Sequence, residues 1–277
     1  MLLLPVMRSS PALAPLLLTL AAFVATPANA ILIRHDRDDA AARELGAKFP
    51  AVGRVQPDGA GTLIAPQWVL TAGHVARTIR SDPPAFRVGD RDRPIRRVFL
   101  PPGWTEGPGD IALIELVDPV TEITPIPLFR GRDEAGRIVT IVGDGDPGDG
   151  RSGPRRNDGI RRAATNRVAR VDADWIVVTF DPPGAATDLE GISGPGDSGG
   201  PALLKVGDDY QVAGVSVWGS EGPDRRDGHP GTYGDLDGFT RVSTFLQWID
   251  DTLAGKSQPH TSPKRSLAAG DQATRRP

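Results

Sequence analysis

Three segments of the sequence carry residue types that together could hydrolyse a carbonyl compound. Ser198 lies in a glycine-rich turn, His74 follows an apolar run, and Asp110 immediately precedes another apolar run. Hydrolysis at neutral pH needs a nucleophile, a base that takes its proton, and donors for the charge that develops on the carbonyl oxygen. We therefore predict Ser198 as the nucleophile, His74 as the base and Asp110 as the carboxylate that orients the imidazole.

The glycines around Ser198 would let the backbone turn sharply and approach a substrate closely. In the run Gly196-Asp197-Ser198-Gly199-Gly200-Pro201, the backbone amides of Gly196 and Ser198 are candidates for an oxyanion hole. The same run, taken alone, could be an ordinary turn. The chemical interpretation therefore depends on the histidine and the aspartate.

Other residues compete for the same roles. His35 stands near the start of the folded body, His229 lies in a Gly- and Pro-rich stretch, and His260 lies in a polar tail. We expect structural or exposed roles for these three histidines. Asp118 is the nearest alternative to Asp110, but it stands at the far end of its apolar run before a proline, where a turn role is natural.

Short runs of β-type residues, separated by turn residues, recur along the chain and predict a mostly-β body. The runs cover about 51–56, 60–65, 68–72, 95–100 and 111–117, and then 138–142, 167–171, 175–180, 202–206 and 210–218. They form two series, so we predict two β-units, about 31–130 and about 131–242, joined by a polar connection near 129–137. The glycine- and aspartate-rich stretch 143–157 predicts a long mobile loop.

The end of the body has helical spacing, because apolar residues recur every three or four positions from Phe245 to Leu253. We predict a helix over about 243–254, with Ser243 as its N-terminal cap. The following residues, 255–277, are polar and contain few apolar side chains, which predicts a disordered tail.

The first thirty residues differ in character from the rest. A positive residue, Arg8, precedes an apolar stretch from Pro11 to Ala25, and Ala28-Asn29-Ala30 fits a small-x-small cleavage site. This order is typical of a secretory signal peptide. The apolar stretch is shorter than the roughly 20 residues that span a membrane. We predict a signal peptide over 1–30, a body that starts at Ile31, and no stable membrane anchor after cleavage.

Composition narrows the classes of function. The formal net charge of -3 lacks the basic excess of nucleic-acid-binding proteins, so we expect no nucleic-acid partner. The chain has no cysteine, which excludes thiol chemistry and disulfides. Asp144, Asp146 and Asp149 resemble part of a calcium loop, but Arg155 stands where a bidentate glutamate would be needed. We expect no metal and no cofactor.

The three motifs occur in the order His, Asp, Ser, and they resemble those of the trypsin-like (chymotrypsin-fold) serine proteases. The similarity covers nearly the whole body from Ile31 to the final helix, and it includes Ser216-Val217-Trp218-Gly219 and Gly238-Phe239-Thr240-Arg241-Val242. The resemblance implies an all-β fold of two six-stranded antiparallel β-barrels with a C-terminal α-helix. It also implies a cleft between the barrels, to which the first contributes His74 and Asp110 and the second Ser198.

The resemblance also assigns residues around the substrate. It implies that Ile192 forms the floor of the primary specificity pocket and that Val217, Trp218 and Gly219 form its wall. Since Ile192 carries no charge, we expect no preference for basic residues. Asp197 is similar to the residue that pairs with a new N-terminal ammonium in this family, which here would be that of Ile31.

We therefore expect a serine endopeptidase that acts on protein or peptide substrates through an acyl-enzyme. We expect a monomer, exported by a bacterium and secreted or periplasmic. Two alternatives stay open: a catalytically silent binding module that keeps the fold, and a hydrolase that acts mainly on esters. The sequence cannot separate peptide from ester hydrolysis, because the same acylation chemistry serves both bonds.

Overall fold

A computed structural model describes residues 31–57, 59–79, 81, 83–220 and 231–260. The predicted signal peptide, His229 and the tail beyond His260 lie outside the described residues. The start of the predicted tail is described, and it is held against the body. The backbone amide of His260 donates to the carbonyl of Val98 at 2.7 Å.

The first half of the body forms a closed barrel of six antiparallel strands. The elements of this half of the chain, in order, are β1 (Leu32–Ile33), α1 (Asp39–Gly46), β2 (Val52–Val55), β3 (Ala60–Ala65), β4 (Trp68–Thr71), α2 (Gly73–Arg77), β5 (Ala85–Val88), β6 (Arg91–Phe99) and β7 (Ala112–Leu116). The barrel order is β2-β3-β4-β7-β6-β5. Inward-facing Leu63, Leu70, Phe86 and Leu113 are all buried and fill its interior, as alternating strand patterns require.

The second half forms another closed six-stranded barrel, with the order β11-β12-β16-β15-β14-β8. Its elements are β8 (Ile138–Gly143), β9 (Gly148–Asp149), β10 (Gly153–Pro154), β11 (Arg162–Val171), β12 (Trp175–Thr179), β13 (Gly191–Ile192), β14 (Pro201–Val206), β15 (Asp209–Ser220), β16 (Leu236–Arg241), a 3₁₀ turn (Val242–Thr244) and α3 (Leu246–Leu253). The predicted fold of two six-stranded antiparallel barrels with a C-terminal helix is confirmed.

A small third sheet joins the start of the body to the second half. β1 pairs antiparallel with β13 and parallel with β9, and β10 completes the order β10-β9-β1-β13. Two short strands therefore interrupt the stretch 143–157, which the sequence predicted as one long loop. The pairing of Leu32 with Ile192 brings the first residues of the body beside the segment that leads to Ser198.

The C-terminal helix begins later than predicted. α3 starts at Leu246, and Ser243 lies in the preceding 3₁₀ turn. The Ser243 hydroxyl does not cap the helix; it donates instead to the buried Glu134 carboxylate at 3.2 Å. Glu134 also binds Arg241 at 2.7 Å, so the polar connection between the barrels is held by a buried ion pair.

Candidate active site

Asp110 and His74 form a tightly held pair at the cleft. Asp110 is 1% exposed, and its Oδ2 atom lies 2.5 Å from Nδ1 of His74. Its Oδ1 atom accepts two further hydrogen bonds, from the His74 backbone amide at 2.9 Å and from the Trp104 indole Nε1 at 3.0 Å. A buried carboxylate needs such donors to remain ionised. One oxygen of the aspartate therefore contacts the imidazole, and two N–H donors hold the other.

Local structure explains how His74 reaches this position. Helix α2 begins at Gly73, directly after β4, and the first N–H groups of a helix lack partners within the helix. Asp110 supplies the acceptor for the amide of His74. The backbone carbonyl of Asp110 in turn accepts a hydrogen bond from the Thr240 hydroxyl at 2.9 Å. Because Thr240 lies on β16, this contact ties the pair to the second barrel.

The Ser198 turn is fixed to both barrels. The carbonyl of Ser198 accepts from the amide of Ala60 in the first barrel, and the amide of Gly199 donates to Ser216 in the second; both distances are 2.7 Å. Gly199 has φ +85°, and a Cβ atom there would lie 2.3 Å from the carbonyl oxygen of Ala60. Only glycine can adopt this dihedral angle and also allow the backbone of residue 199 to lie so close to the Ala60 carbonyl.

The predicted oxyanion donors are the backbone amides of Gly196 and Ser198 in this turn. Gly196 has φ +88°, which glycine adopts readily, and it lies two residues before Ser198. Among the described residues, the amides of Gly196 and Ser198 donate to no protein acceptor. Two free N–H groups flanking a candidate nucleophile can bind a developing negative charge.

Ser198 and His74 face neighbouring cavities that share a wall. Ser198 lines a cavity of about 220 Å³, and His74 lines an open groove that also contains Asp110. Val217 and Trp218 line both. Within the described part of the chain, no hydrogen bond joins the Ser198 hydroxyl to His74. Such contacts are often long in an unliganded active site and tighten when substrate binds.

The cavity beside Ser198 contains all four residues predicted for the specificity pocket. Ile192, Val217, Trp218 and Gly219 line it, and Ile192 is buried. Trp218 packs against Gly238, where a Cβ atom would lie 2.1 Å from its ring. The structure thus brings the predicted floor and wall together next to the candidate nucleophile.

The cavity also contains a carboxylate that the sequence analysis missed. Asp237, on β16, lines the cavity and is 2% exposed. Its Oδ2 atom accepts from the backbone amide of Ser193 at 2.7 Å. Burial raises the pKa of Asp237 to about 7, although hydrogen bonds from Ser193 and Gly238 favour the ionised form. Among the described residues, no cationic side chain pairs with it. The expectation of an uncharged pocket, which rested on Ile192, omitted this group.

A second buried carboxylate directly precedes Ser198 in the chain. Asp197 is 1% exposed and accepts from the amides of Gly145 at 2.7 Å and Gly194 at 2.8 Å. Burial raises its pKa to about 7, and no cationic side chain in the described ranges pairs with it. Ile31, the predicted first residue of the body, is fully buried among core residues of the second barrel, and its neighbour Leu32 pairs with Ile192.

The competing residues occupy other places. Nδ1 of His35 lies 2.7 Å from the Tyr233 hydroxyl, and His260 packs its backbone against Val98. Asp118 is exposed in the turn after β7. Among the described residues, no cluster of His, Asp or Glu could hold a metal ion, and no helix is long and apolar enough to cross a membrane.

Comparisons with known proteins identify the family and the fold. The family model described as Trypsin matches residues 42–249, more than half of the 277-residue chain. The chain is 29% identical to pig complement C1s subcomponent over 73% of its length and 29% identical to mouse tryptase over 68%. It spans only 33% of the complement protein but 76% of the tryptase. A solved structure of mouse neuropsin, titled a serine protease, shares the fold with a TM-score of 0.60 at 18% identity, covering 75% of this chain and 96% of the other.

Proposed function

This chain belongs to the trypsin family, and we propose that it is an exported serine endopeptidase that cleaves peptide bonds through an acyl-enzyme. The observation that carries this proposal is the contact of the buried Asp110 with His74, next to a serine turn whose amides of Gly196 and Ser198 have no protein acceptor among the described residues. Nucleophile, base, orienting carboxylate and oxyanion donors are the complete set that acyl transfer requires.

In the proposed reaction, the Ser198 hydroxyl attacks the substrate carbonyl and forms a bond from oxygen to carbon. His74 takes the serine proton on Nε2, because its Nδ1 proton is directed to Asp110. The amides of Gly196 and Ser198 hold the oxyanion of the tetrahedral intermediate. His74 then gives its proton to the leaving amine, and water releases the acyl group by the same steps in reverse.

The primary pocket argues for a cationic substrate side chain. Asp237 is a buried carboxylate in the cavity next to Ser198, and it has no cationic partner among the described residues. A lysine or arginine side chain of the substrate would supply the missing counter-charge, and its aliphatic stem could pack on Ile192 and Val217. From Ile192 alone we expected no preference for basic residues. With Asp237 in the same cavity, we instead propose that the enzyme prefers to cleave after basic residues.

Export and activation form the remaining part of the proposal. The predicted signal peptide over 1–30 supports export. The proposal keeps a bacterial source, the periplasm or the medium as the compartment, and a monomer that acts on protein or peptide substrates. Cleavage before Ile31 would create an ammonium group near Asp197. That pairing would neutralise a buried carboxylate directly before the nucleophile, and it would hold Gly196 and Ser198 in position.

The test of the chemistry is Ser198→Ala, measured on a peptide amide substrate and with a phosphonate reagent that labels activated serines. We expect the Ser198→Ala variant to lose both turnover and labelling completely. In the unaltered protein, mass spectrometry should locate the label on Ser198. Ser257→Ala, which changes a half-buried serine outside the cleft, is the matched control and should keep both. Labelling at another residue, or turnover in the Ser198 variant, would refute the proposal.

The same material separates the two alternatives. A catalytically silent binding module would bind peptides but would show neither labelling nor turnover before any substitution. A hydrolase acting mainly on esters would label at Ser198 and turn over a matched ester, but it would show no measurable turnover of the amide. Turnover of the peptide amide that is lost in Ser198→Ala would favour the endopeptidase.

The preference for basic residues is tested by Asp237→Asn, which keeps the shape of the side chain and removes its charge. Matched peptide amides ending in arginine, lysine, leucine or alanine at the scissile bond give four values of kcat/KM. We expect the basic substrates to lose their advantage in the variant, while the leucine substrate changes little. An unaltered protein that already prefers leucine or alanine would contradict this assignment.

A further inference from the structure

Trp104 is the independent side chain that contacts the candidate catalytic carboxylate. Asp110 receives three N–H donors among the described residues, and two of them belong to His74 itself. The third is the Trp104 indole, at 3.0 Å from Oδ1. Without the indole, Oδ1 would keep only the His74 backbone amide, and every donor to the carboxylate would come from the residue that it must orient. The indole fixes it from outside the histidine segment.

The chain builds a rigid support for this indole. Pro101-Pro102-Gly103-Trp104 forms a tight turn in which Gly103 has φ +70° and the amide of Trp104 donates to the Pro101 carbonyl at 3.1 Å. Proline followed by glycine at these positions is typical of a type II turn. On its other face, the indole lies under the Arg77 guanidinium, 5.3 Å from the ring centroid. Both contacts restrict the direction of the indole N–H.

Gly73 leaves the space that the indole occupies. A Cβ atom at Gly73 would lie 2.1 Å from Trp104 Nε1 and 2.7 Å from Asp110 Oδ1. Real Cβ atoms essentially never approach so closely, so alanine here would displace the indole, the carboxylate or both. The glycine before the histidine and the tryptophan 31 positions further along the chain thus act as a fitted pair.

We propose that Trp104 is a positioning residue that fixes the Asp110 carboxylate, through its indole N–H, in the orientation that holds His74 for catalysis. The inference rests on the proposed function of Ser198, His74 and Asp110. Trp104 lines neither the cavity beside Ser198 nor the groove beside His74, so its effect should be on the chemical step. Its charged neighbours, Arg77 and Glu106, line the adjoining groove and stay unchanged in the test.

The first test is Trp104→Phe, which keeps an aromatic ring and removes the N–H. Since hydrogen bonds to charged groups are worth more than neutral ones, we expect kcat to fall about tenfold with KM nearly unchanged. Proton NMR should also show a changed chemical shift for the His74 Nδ1 proton. A loss of packing elsewhere in the protein would not change this chemical shift. Trp248→Phe, which changes a tryptophan of α3, is the matched control and should alter neither readout.

Gly73→Ala provides a second variant that retains the tryptophan. We expect the same fall in kcat and the same resonance shift, and little further loss when it is combined with Trp104→Phe. The resonance is measured without turnover, so it also reports on the inference in a Ser198→Ala background. Unchanged kcat and resonance in both variants would overturn the inference while leaving the function intact. Turnover that survives Ser198→Ala would instead overturn the function itself.

Discussion

The two oxygen atoms of Asp110 have different partners, and this difference decides what an amide would do in its place. Oδ1 accepts two N–H groups, whereas Oδ2 faces only the imidazole. In Asp110→Asn, the amide oxygen must therefore occupy the Oδ1 position, and the NH₂ group must face Nδ1 of His74. The ring would then accept at Nδ1 and carry its proton on Nε2, where it cannot take the proton of Ser198.

We expect Asp110→Asn to lower kcat by about 10⁴-fold, the loss typical of a triad histidine held in the wrong tautomer, with a small effect on KM. Steady-state kinetics gives the first quantity, and nitrogen NMR of His74 reports the tautomer directly. Asp118→Asn changes an exposed aspartate in the turn after β7 and is the control. An Asp110 variant that keeps kcat within tenfold of the unaltered protein would contradict the assigned role.

The stability of the protein should depend on pH through Asp237, because burial raises the pKa of this carboxyl to about 7 in the free protein. A carboxyl group with a folded pKa above its unfolded value holds its proton more tightly in the fold. Its contribution to stability is therefore fully present below pH 4 and is lost as the pH rises to about 7. Asp237→Asn removes this loss, so the variant should become more stable than the unaltered protein across that range.

Thermal unfolding at pH 4, 5.5, 7 and 8 measures the effect. The difference in Tm between Asp237→Asn and the unaltered protein should grow up to about pH 7 and then level off. Asp133→Asn, at a side chain that is 75% exposed, should show no such trend. A constant difference in Tm at all four values would show that Asp237 is not protonated in the empty pocket.

At the scale of elements, helix α1 is attached to the second barrel by a buried ion cluster. The Arg162 side chain on β11 is 0% exposed and binds Asp39 at 2.5 Å and Asp158 at 3.1 Å. Asp39 is the first residue of α1. Removal of the arginine would take the cation from Asp158 and leave Asp39 with only the exposed Arg43, which is more costly than the loss of a surface pair.

Arg162→Ala should lower the free energy of unfolding by about 3–5 kcal/mol, the usual cost of breaking a buried pair from one side. Denaturant titration measures this value. Arg170→Ala is the matched control on the same strand, since Arg170 is 60% exposed and pairs with Asp172 at the surface. We expect at most about 1 kcal/mol there. Similar values for the two variants would contradict a stabilising role for the cluster.

The sequence predicted most strands but few of the helical and short elements. Long apolar runs such as 60–65 and 138–142 coincide with β3 and β8 almost to the residue, because alternation and turn residues mark their ends. β1, β9 and β13 are two residues each and exist only because distant segments pair. Ser243 has the composition of a helix cap, but the buried Glu134 takes its hydroxyl, a tertiary contact that local spacing cannot reveal.

At the scale of the whole molecule, the candidate site is assembled from residues far apart in the chain. The glycine-flanked Ser198 and the two motifs with His74 and Asp110 were recognisable because each has a local signature. Asp237 and Trp104 have none, since their roles depend on where β16 and the 101–104 turn lie relative to the cleft. The candidate nucleophile, base and orienting carboxylate could therefore be proposed from the sequence, whereas the buried carboxylate in the pocket and the indole contact to Asp110 could not.

The start of the body links the proposed export to the proposed site. Ile31 is buried and has φ +60°, an unfavourable angle for a β-branched residue. That angle is defined by the peptide bond to residue 30, so cleavage there would remove the strain and create an ammonium group. Asp197, whose pKa burial raises to about 7, accepts two backbone amides but has no cationic partner among the described residues.

We expect protein that begins at Ile31 to be fully active and protein that retains residue 30 to lose activity on the order of a hundredfold, because the buried carboxylate then lacks its counter-charge. Acetylation of the Ile31 amine should have the same effect. The control is the Ile31→Val variant cleaved before residue 31, which keeps the N-terminal ammonium. The pairing requires a protonated amine, so activity of the Ile31 form should also fall as the pH rises above about 8. Equal activity of the cleaved, extended and acetylated forms, or an active secreted protein whose N-terminal sequence starts elsewhere, would contradict this activation step.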